Sequence, residues 1–181
     1  MKSILIISIL MLVSLLSSAQ SIFDINMTDV NTDQSVTLKE YQNSKAMVVV
    51  FISTKCPYAK YYETRLSSME KQYKNQDVTF LMVNPNSTES MGSMKSQALK
   101  MNTTYLRDEA KELTSFLGAK KSPEVFLLNS QGKAYYSGAI DDNPQVANDV
   151  RASYLKEAID GLLSGKSIVV KNNRPVGCTI K

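Results

Sequence analysis

The chain has 181 residues, with 21 basic and 17 acidic side chains for a formal net charge of +4, two cysteines and no histidine. The missing histidine excludes Ser-His and Cys-His catalysis, imidazole metal sites and histidine pH switching, and with two cysteines a structural zinc site has no ligand set. The basic residues are scattered rather than clustered, so the charge gives no support to nucleic-acid binding.

Residues 1–19 have the pattern of a cleaved secretory signal. Lys2 supplies the positive start, Ile4 to Leu16 the apolar stretch, and "SSAQ" puts Ser17 and Ala19 before a cut at Ala19/Gln20. The apolar stretch is too short to span a bilayer comfortably, and no other long apolar run follows. Removing Lys2 with this leader leaves 20 basic and 17 acidic residues, a charge of +3. The remaining 20–181, about 160 residues, suit one domain with its own core. An exported protein, periplasmic or extracellular and soluble after cleavage, is the expectation.

The alternations "SIFDINM" and "SVTLKEY" predict a small leading hairpin followed by a short helical turn. "AMVVVFIS", 46–53, is an unbroken apolar run, as expected of a central strand covered on both faces. After Cys56-Pro57 the spacing changes to a period near 3.6. Ala59, Tyr62, Leu66, Met69 and Tyr73 then line one face of a helix of about five turns. "DVTFLMVNPN", 77–86, is a second buried strand. Ser87 is the expected N-cap of the next helix, with Glu89 and Ser90 in its first turn. "TTYLRD" forms a short strand, and Asp108 caps a helix to Leu117 that buries Ala110, Leu113, Phe116 and Leu117 and closes at Gly118. "KSPEVFLLN" and "AYYSGAI" form a hairpin across "SQGK". The last helix is expected from Asn143-Pro144 to Gly165, burying Ala152, Leu155, Ala158, Ile159, Leu162 and Leu163. The tail 166–181 carries the second cysteine. Alternating strands and helices that end in a hairpin and a helix imply one α/β domain, a mixed sheet with helices on both faces.

Cys56 lies where a buried strand meets the start of a long helix. Unpaired helical amides and the macrodipole stabilise an anion there, so they favour a thiolate. Lys55 adds positive potential, and Pro57 suits the first helical position. The competing reading is an inert buried cysteine or half of a structural disulfide, common in exported proteins. A Cys56–Cys178 bridge closing so long a loop would add roughly 4–5 kcal/mol on the chain-entropy model.

"VVVFISTKCPYA", "VTFLMVNPN", "SPEVFLLNSQGK", "YSGAIDD" and the terminal "GC" together resemble the thioredoxin-like redoxins of the peroxiredoxin (AhpC/TSA) group, and within it the exported peroxiredoxin-like subgroup with one active-site cysteine followed by proline. The resemblance covers nearly the whole mature chain. It implies a thioredoxin-like fold with Cys56 as nucleophile and Pro123 as the family's cis-proline facing that cysteine. From the residues alone, a trans Pro123 starting an edge strand is the alternative.

The departures are specific. The position of a thioredoxin's second cysteine is Ala59, so CxxC chemistry is closed. The proline and threonine that precede a peroxiredoxin's reactive cysteine are here Val49 and Ser53, which keeps only a hydroxyl, able to hydrogen-bond the thiol or the substrate. The strands from Glu124 to Ile140 hold no arginine, and Arg65, Arg107, Arg151 and Arg174 are the four in the chain. Two roles stand open for Cys178: attack on a mixed disulfide or sulfenic acid at Cys56, or a permanent staple of the tail. "DDNP" at 141–144 fits caps and a turn better than calcium ligands. Met27, Met91, Met94 and Met101 fit core or loop filling better than copper handling. Tyr62 belongs to the core, and Tyr58 to a surface beside the active turn. No motif implies a metal, nucleotide or flavin.

The resemblance therefore implies an exported thiol oxidoreductase that acts on a protein disulfide or a peroxide and is recharged by a thiol reductant. Its site residues are Cys56, Cys178, Pro123 and Ser53. The runner-up is a non-catalytic binding module stapled by Cys56–Cys178.

Overall fold

The computed structural model describes residues 20–166 and 172–181; the expected leader, 1–19, lies outside them. Strands are numbered along the chain: β1 (Asn26–Asp29), β2 (Ser35–Thr37), β3 (Ala46–Phe51), β4 (Val78–Asn84), β5 (Thr104–Arg107), β6 (Lys121–Ser122), β7 (Glu124–Asn129), β8 (Ala134–Gly138), β9 (Asn172–Asn173) and β10 (Cys178–Thr179). The α-helices are α1 (Pro57–Tyr73), α2 (Met91–Met101), α3 (Glu112–Leu117) and α4 (Tyr154–Leu163).

Eight strands form one mixed sheet in the order β2-β1-β5-β4-β3-β7-β8-β9. All six residues of β3 are buried, as expected of β-branched and aromatic residues in a strand covered on both faces. It pairs parallel with β4 and antiparallel with β7, so Val50 faces Met82 on one side and Val125 on the other. The leading hairpin forms as expected: β1 pairs antiparallel with β2 and then with β5, and a 3-10 turn follows at Leu38–Tyr41.

The alternation along β3 sorts two cores. Val48 and Val50, with Phe80, Met82, Val125 and Leu127, face α1, α2 and α4. Met47, Val49 and Phe51 face the opposite way, towards Leu113 of α3 and the N-terminal Ile22, Ile25 and Leu38. Helices therefore cover both faces, three on one and a single short one on the other. Met27, Met94 and Met101 are buried core residues, and Met91 packs against the core.

Three helix starts differ from the sequence expectation, each for a visible reason. α2 begins behind Ser90, not Ser87; Ser90 Oγ accepts the Ser93 amide at 3.2 Å, while Glu89 turns into the protein. α3 begins at Glu112 rather than directly after Asp108. Asp108 still serves it from outside, as Oδ2 accepts the Thr114 amide at 2.8 Å and hydroxyl at 2.6 Å. In this six-residue helix Leu113 is buried and Phe116 is exposed, contrary to its expected burial. The last helix begins at Tyr154, not Pro144. A helix from Pro144 would need the carbonyls of Asn143 and Pro144 for its first amides. Both accept instead from the Arg65 guanidinium, which also bonds Asp141 Oδ2 at 2.6 Å. A 3-10 turn at Ala147–Asp149 fills the gap.

Candidate active site

β3 delivers the chain through Ser53, Thr54 and Lys55 to Cys56, the N-cap of α1, with Pro57 in the first helical position. The Lys60 amide is the first to bond back to the Cys56 carbonyl, at 3.3 Å. The amides of Tyr58 and Ala59 thus have no intrahelical acceptor, which makes this end of the helix attractive to negative charge. Lys55 Nζ donates to Thr88 O at 3.2 Å.

Cys56 is bonded to Cys178, with Cα atoms 5.9 Å apart. The tail lies across the site as a strap. β9 pairs parallel with the β8 edge, and β10 pairs antiparallel with β6, placing Cys178 opposite Ser122. Ile180 N donates to Lys120 O at 3.1 Å, and Lys181 N to Asn86 Oδ1 at 3.2 Å. Gly177 is required at its position, because a Cβ there would lie 2.2 Å from the Ser122 carbonyl oxygen. Under this cover Cys56 is 1% exposed, whereas Cys178 is half-buried.

The Ser122–Pro123 peptide is cis. Ser122 O lies 3.0 Å from Cys56 Sγ; a disulfide sulfur has no proton to give it, but a reduced thiol would. That carbonyl favours the protonated thiol, while the helix start favours the thiolate. Pro123 also lines a pocket of about 170 Å³ with Tyr62, Ile140, Asp141, Tyr154 and, from the tail, Arg174. Tyr62 donates to Asp141 Oδ1 at 2.6 Å. Burial and that bond push the Tyr62 phenol well above its ordinary range. Arg65 stacks on the Tyr62 ring at 4.1 Å and clamps the 141–144 loop. Tyr58 packs edge-on against the exposed Tyr61, with ring centres 6.3 Å apart.

Ser53 sits in the turn, and its proton goes to Glu89 Oε1 at 2.5 Å, not to the sulfur. Its oxygen accepts the Lys55 amide at 3.2 Å. Glu89 is the residue that spacing did not reveal. It is 4% exposed, and its other oxygen accepts the Thr54 amide and hydroxyl, each at 2.7 Å, and Asn84 Nδ2 at 2.8 Å. Burial alone would raise its pKa, but the bonds from Ser53, Asn84 and Thr54 outweigh burial and hold it below the ordinary glutamate range. A buried carboxylate therefore fixes the turn that presents Cys56. One signal was available in the sequence. Asn84 falls on the inward face of β4, in step with Phe80 and Met82, and a buried amide requires partners.

A mixed sheet, a long helix that opens on a cysteine and a cis-proline beside it define a thioredoxin-fold redoxin. The chain belongs to the AhpC/TSA family, whose model matches residues 19–137. The match ends before α4 and the tail, so Cys178 lies beyond it. Among solved structures, a hypothetical protein of Sinorhizobium meliloti 1021 has a TM-score of 0.80 and 26% identity, over 90% of this chain and 92% of its own. An uncharacterized conserved protein of Geobacillus kaustophilus has a TM-score of 0.80 and 25% identity, over 93% of each chain. A secreted disulfide oxidoreductase of Mycobacterium tuberculosis shares the fold at a TM-score of 0.58 and 18% identity, over 81% of this chain and 99% of its own. No curated protein matches the chain.

Proposed function

We propose that this redoxin is an exported thiol oxidoreductase that cycles between the Cys56–Cys178 disulfide and the dithiol. The observation that carries this reading is the unequal seating of the two sulfurs. Cys56 stands at the start of a 17-residue helix, and Cys178 rides on a strand of two residues. A reductant thiolate attacks the more accessible Cys178 sulfur, forming a mixed disulfide there. Cys56 leaves as a thiolate, stabilised by the helix start. A second thiolate of the reductant releases Cys178 and takes the bond onto itself.

The reduced protein, with its strap no longer tied covalently to Cys56, has two outlets. Cys56 thiolate attacks a substrate disulfide, giving a mixed disulfide and one free thiolate, and Cys178 then displaces the second substrate sulfur. Alternatively, Cys56 thiolate attacks a peroxide oxygen, releasing water or an alcohol and leaving a sulfenic acid. Cys178 condenses with that sulfenic acid and expels water. Arg65 and Arg107 are paired with Asp141 and Glu109, whereas Arg174 lines the Pro123 pocket, so the arginines do not choose between the two outlets. In either outlet Pro123 shapes the substrate surface, while Ser53 holds the turn. The burial of Cys56 supports one second reading, a permanent staple in a binding module.

Mass spectrometry after alkylation separates these readings. A bridge that opens with mild reductant and reforms with a substrate disulfide or with stoichiometric hydrogen peroxide supports the cycle, and the reoxidant identifies the outlet. A bridge in the folded protein that resists mild reductant supports the staple.

A further inference from the structure

A chain of buried polar groups runs from the Cys56 turn to the far end of the tail, with Asn84 at its centre. Asn84 is fully buried at the end of β4. Its Nδ2 donates to Glu89 Oε2 at 2.8 Å and to the Tyr105 hydroxyl at 3.1 Å. Its Oδ1 accepts the Asn86 amide at 3.0 Å and Asn86 Nδ2 at 3.1 Å. Beyond Glu89 lie Ser53 and Thr54, and beyond Asn86 lies the amide of Lys181. A third branch passes from Tyr105 to Gln97 and on to Glu63 of α1, which ties the hub to two helices. Carboxamides stay neutral and do not titrate, so the network fixes positions rather than relaying protons.

We propose that Asn84 is a positioning residue that couples the two halves of the redox centre: through Glu89 it holds the Cys56 turn, and through Asn86 it docks the Cys178 tail. This inference rests on the two-cysteine cycle proposed above. Once the disulfide opens, the chance that Cys178 meets Cys56 depends on how well the tail stays seated, which is an effective concentration. β10 contributes two residues to that seating, and the Lys181–Asn86 bond adds to it beside the Ile180–Lys120 and Lys121–Thr179 bonds. The hub supports both partners of the bond that must reform.

The test uses two readouts. The first is the equilibrium constant for closing the disulfide against glutathione. The second is the pH profile of Cys56 alkylation, read in proteins that also carry Cys178→Ser. Lys181→Pro removes the donating amide proton together with the side-chain charge and fixes φ, and is read against Lys181→Ala, which keeps the amide proton. It is expected to lower the closing constant about tenfold, equal to ~30 mV, and to leave the alkylation profile unchanged. Glu89→Gln removes the negative charge from the turn and is expected to move the profile to lower pH. In an Asn84→Ala background the profile moves, and Lys181→Pro then changes the closing constant less than about twofold. A merely structural Asn84 would lower thermal stability and leave both readouts alone, which overturns the proposal. A tenfold effect of Lys181→Pro in both backgrounds also overturns it. If Asn84→Ala does not fold, Glu89→Gln combined with Lys181→Pro decides: non-additive closing constants support the hub, and additive ones overturn it. Wild type is scored first. A wild-type pair that cannot be cycled defeats the proposed function as well, whereas a cycling pair with additive variants defeats only this inference.

Discussion

The two cysteines of one disulfide belong to opposite kinds of structure. Cys56 follows a fully buried strand and starts a 17-residue helix, and the turn between them is held by a buried carboxylate. Cys178 lies in a segment whose described residues are exposed or half-buried and whose strands, β9 and β10, are two residues each. The first side has enough packing to keep its geometry when the covalent bond is lost. Among the described residues, the second has little beyond the bond itself: a few backbone pairs, the Lys181–Asn86 and Lys121–Thr179 hydrogen bonds and the partly buried Ile180. Such asymmetry suits a redox pair: one sulfur stays in place to react, and the other arrives and departs. A staple would benefit from two rigid ends.

The largest expected effect comes from removing either sulfur. Cys56→Ser should lower turnover by ~10³-fold or more, to background. Cys178→Ser should still react once and then stall, visible by mass as a trapped mixed disulfide or sulfenic acid at Cys56. Loss at both positions without a trapped species would break the assignment of roles. Next comes packing on the rigid side. Leu66 of α1 is fully buried, and Leu66→Ala should cost about 2–5 kcal/mol in denaturant unfolding. Val176→Ala, in the exposed tail, should change stability by less than ~0.5 kcal/mol. Equal effects would remove the contrast between the two regions. A third change acts on the strap alone. The Cβ of Gly177→Ala would press on the Ser122 carbonyl, at a cost of about 1–3 kcal/mol for overpacking. Amide exchange of Ile180, which bonds Lys120 O, should quicken in the reduced variant, while exchange in β3 and β4 stays unchanged.

The rigid side was legible in the sequence because its signals are local. The unbroken run at 46–53 and the 3.6 spacing from Ala59 to Tyr73 can each be read in one window, and their junction singles out Cys56. The strap was less legible. "RPVGCTI" gives a turn and a cysteine, but nothing in it specifies that Cys178 pairs with Ser122 across an antiparallel register. Glu89 was hidden by a better local explanation, since in "STES" it looks like first-turn acid in a capped helix. Its real partners, Ser53 and Thr54, lie 36 and 35 positions away. The same kind of distant contact moved the start of the last helix, when Arg65 of α1 claimed the carbonyls that a helix from Pro144 would have used.

The smallest expected effect lies in acid and concerns the rigid side alone. Burial of Glu89 works against its ionisation, but the bonds from Ser53, Asn84 and Thr54 prevail and leave its folded pKa depressed. A depressed carboxylate contributes stability that is fully present above its unfolded pKa and is lost as pH falls through the folded one. The reduced protein should therefore lose part of its margin below the ordinary glutamate range, near 4. Glu89→Gln has no such proton to take up, so the gap between wild type and variant should be constant at neutral pH and narrow in acid. Asp160, also depressed, with burial outweighed by Lys156 and Tyr73, titrates in both proteins and cancels from the difference. Denaturant unfolding of the two reduced proteins from pH 7 down to pH 3 measures that gap. A gap that stays constant throughout would mean that Glu89 holds its turn equally well when protonated, and that the charge itself contributes nothing to seating Cys56.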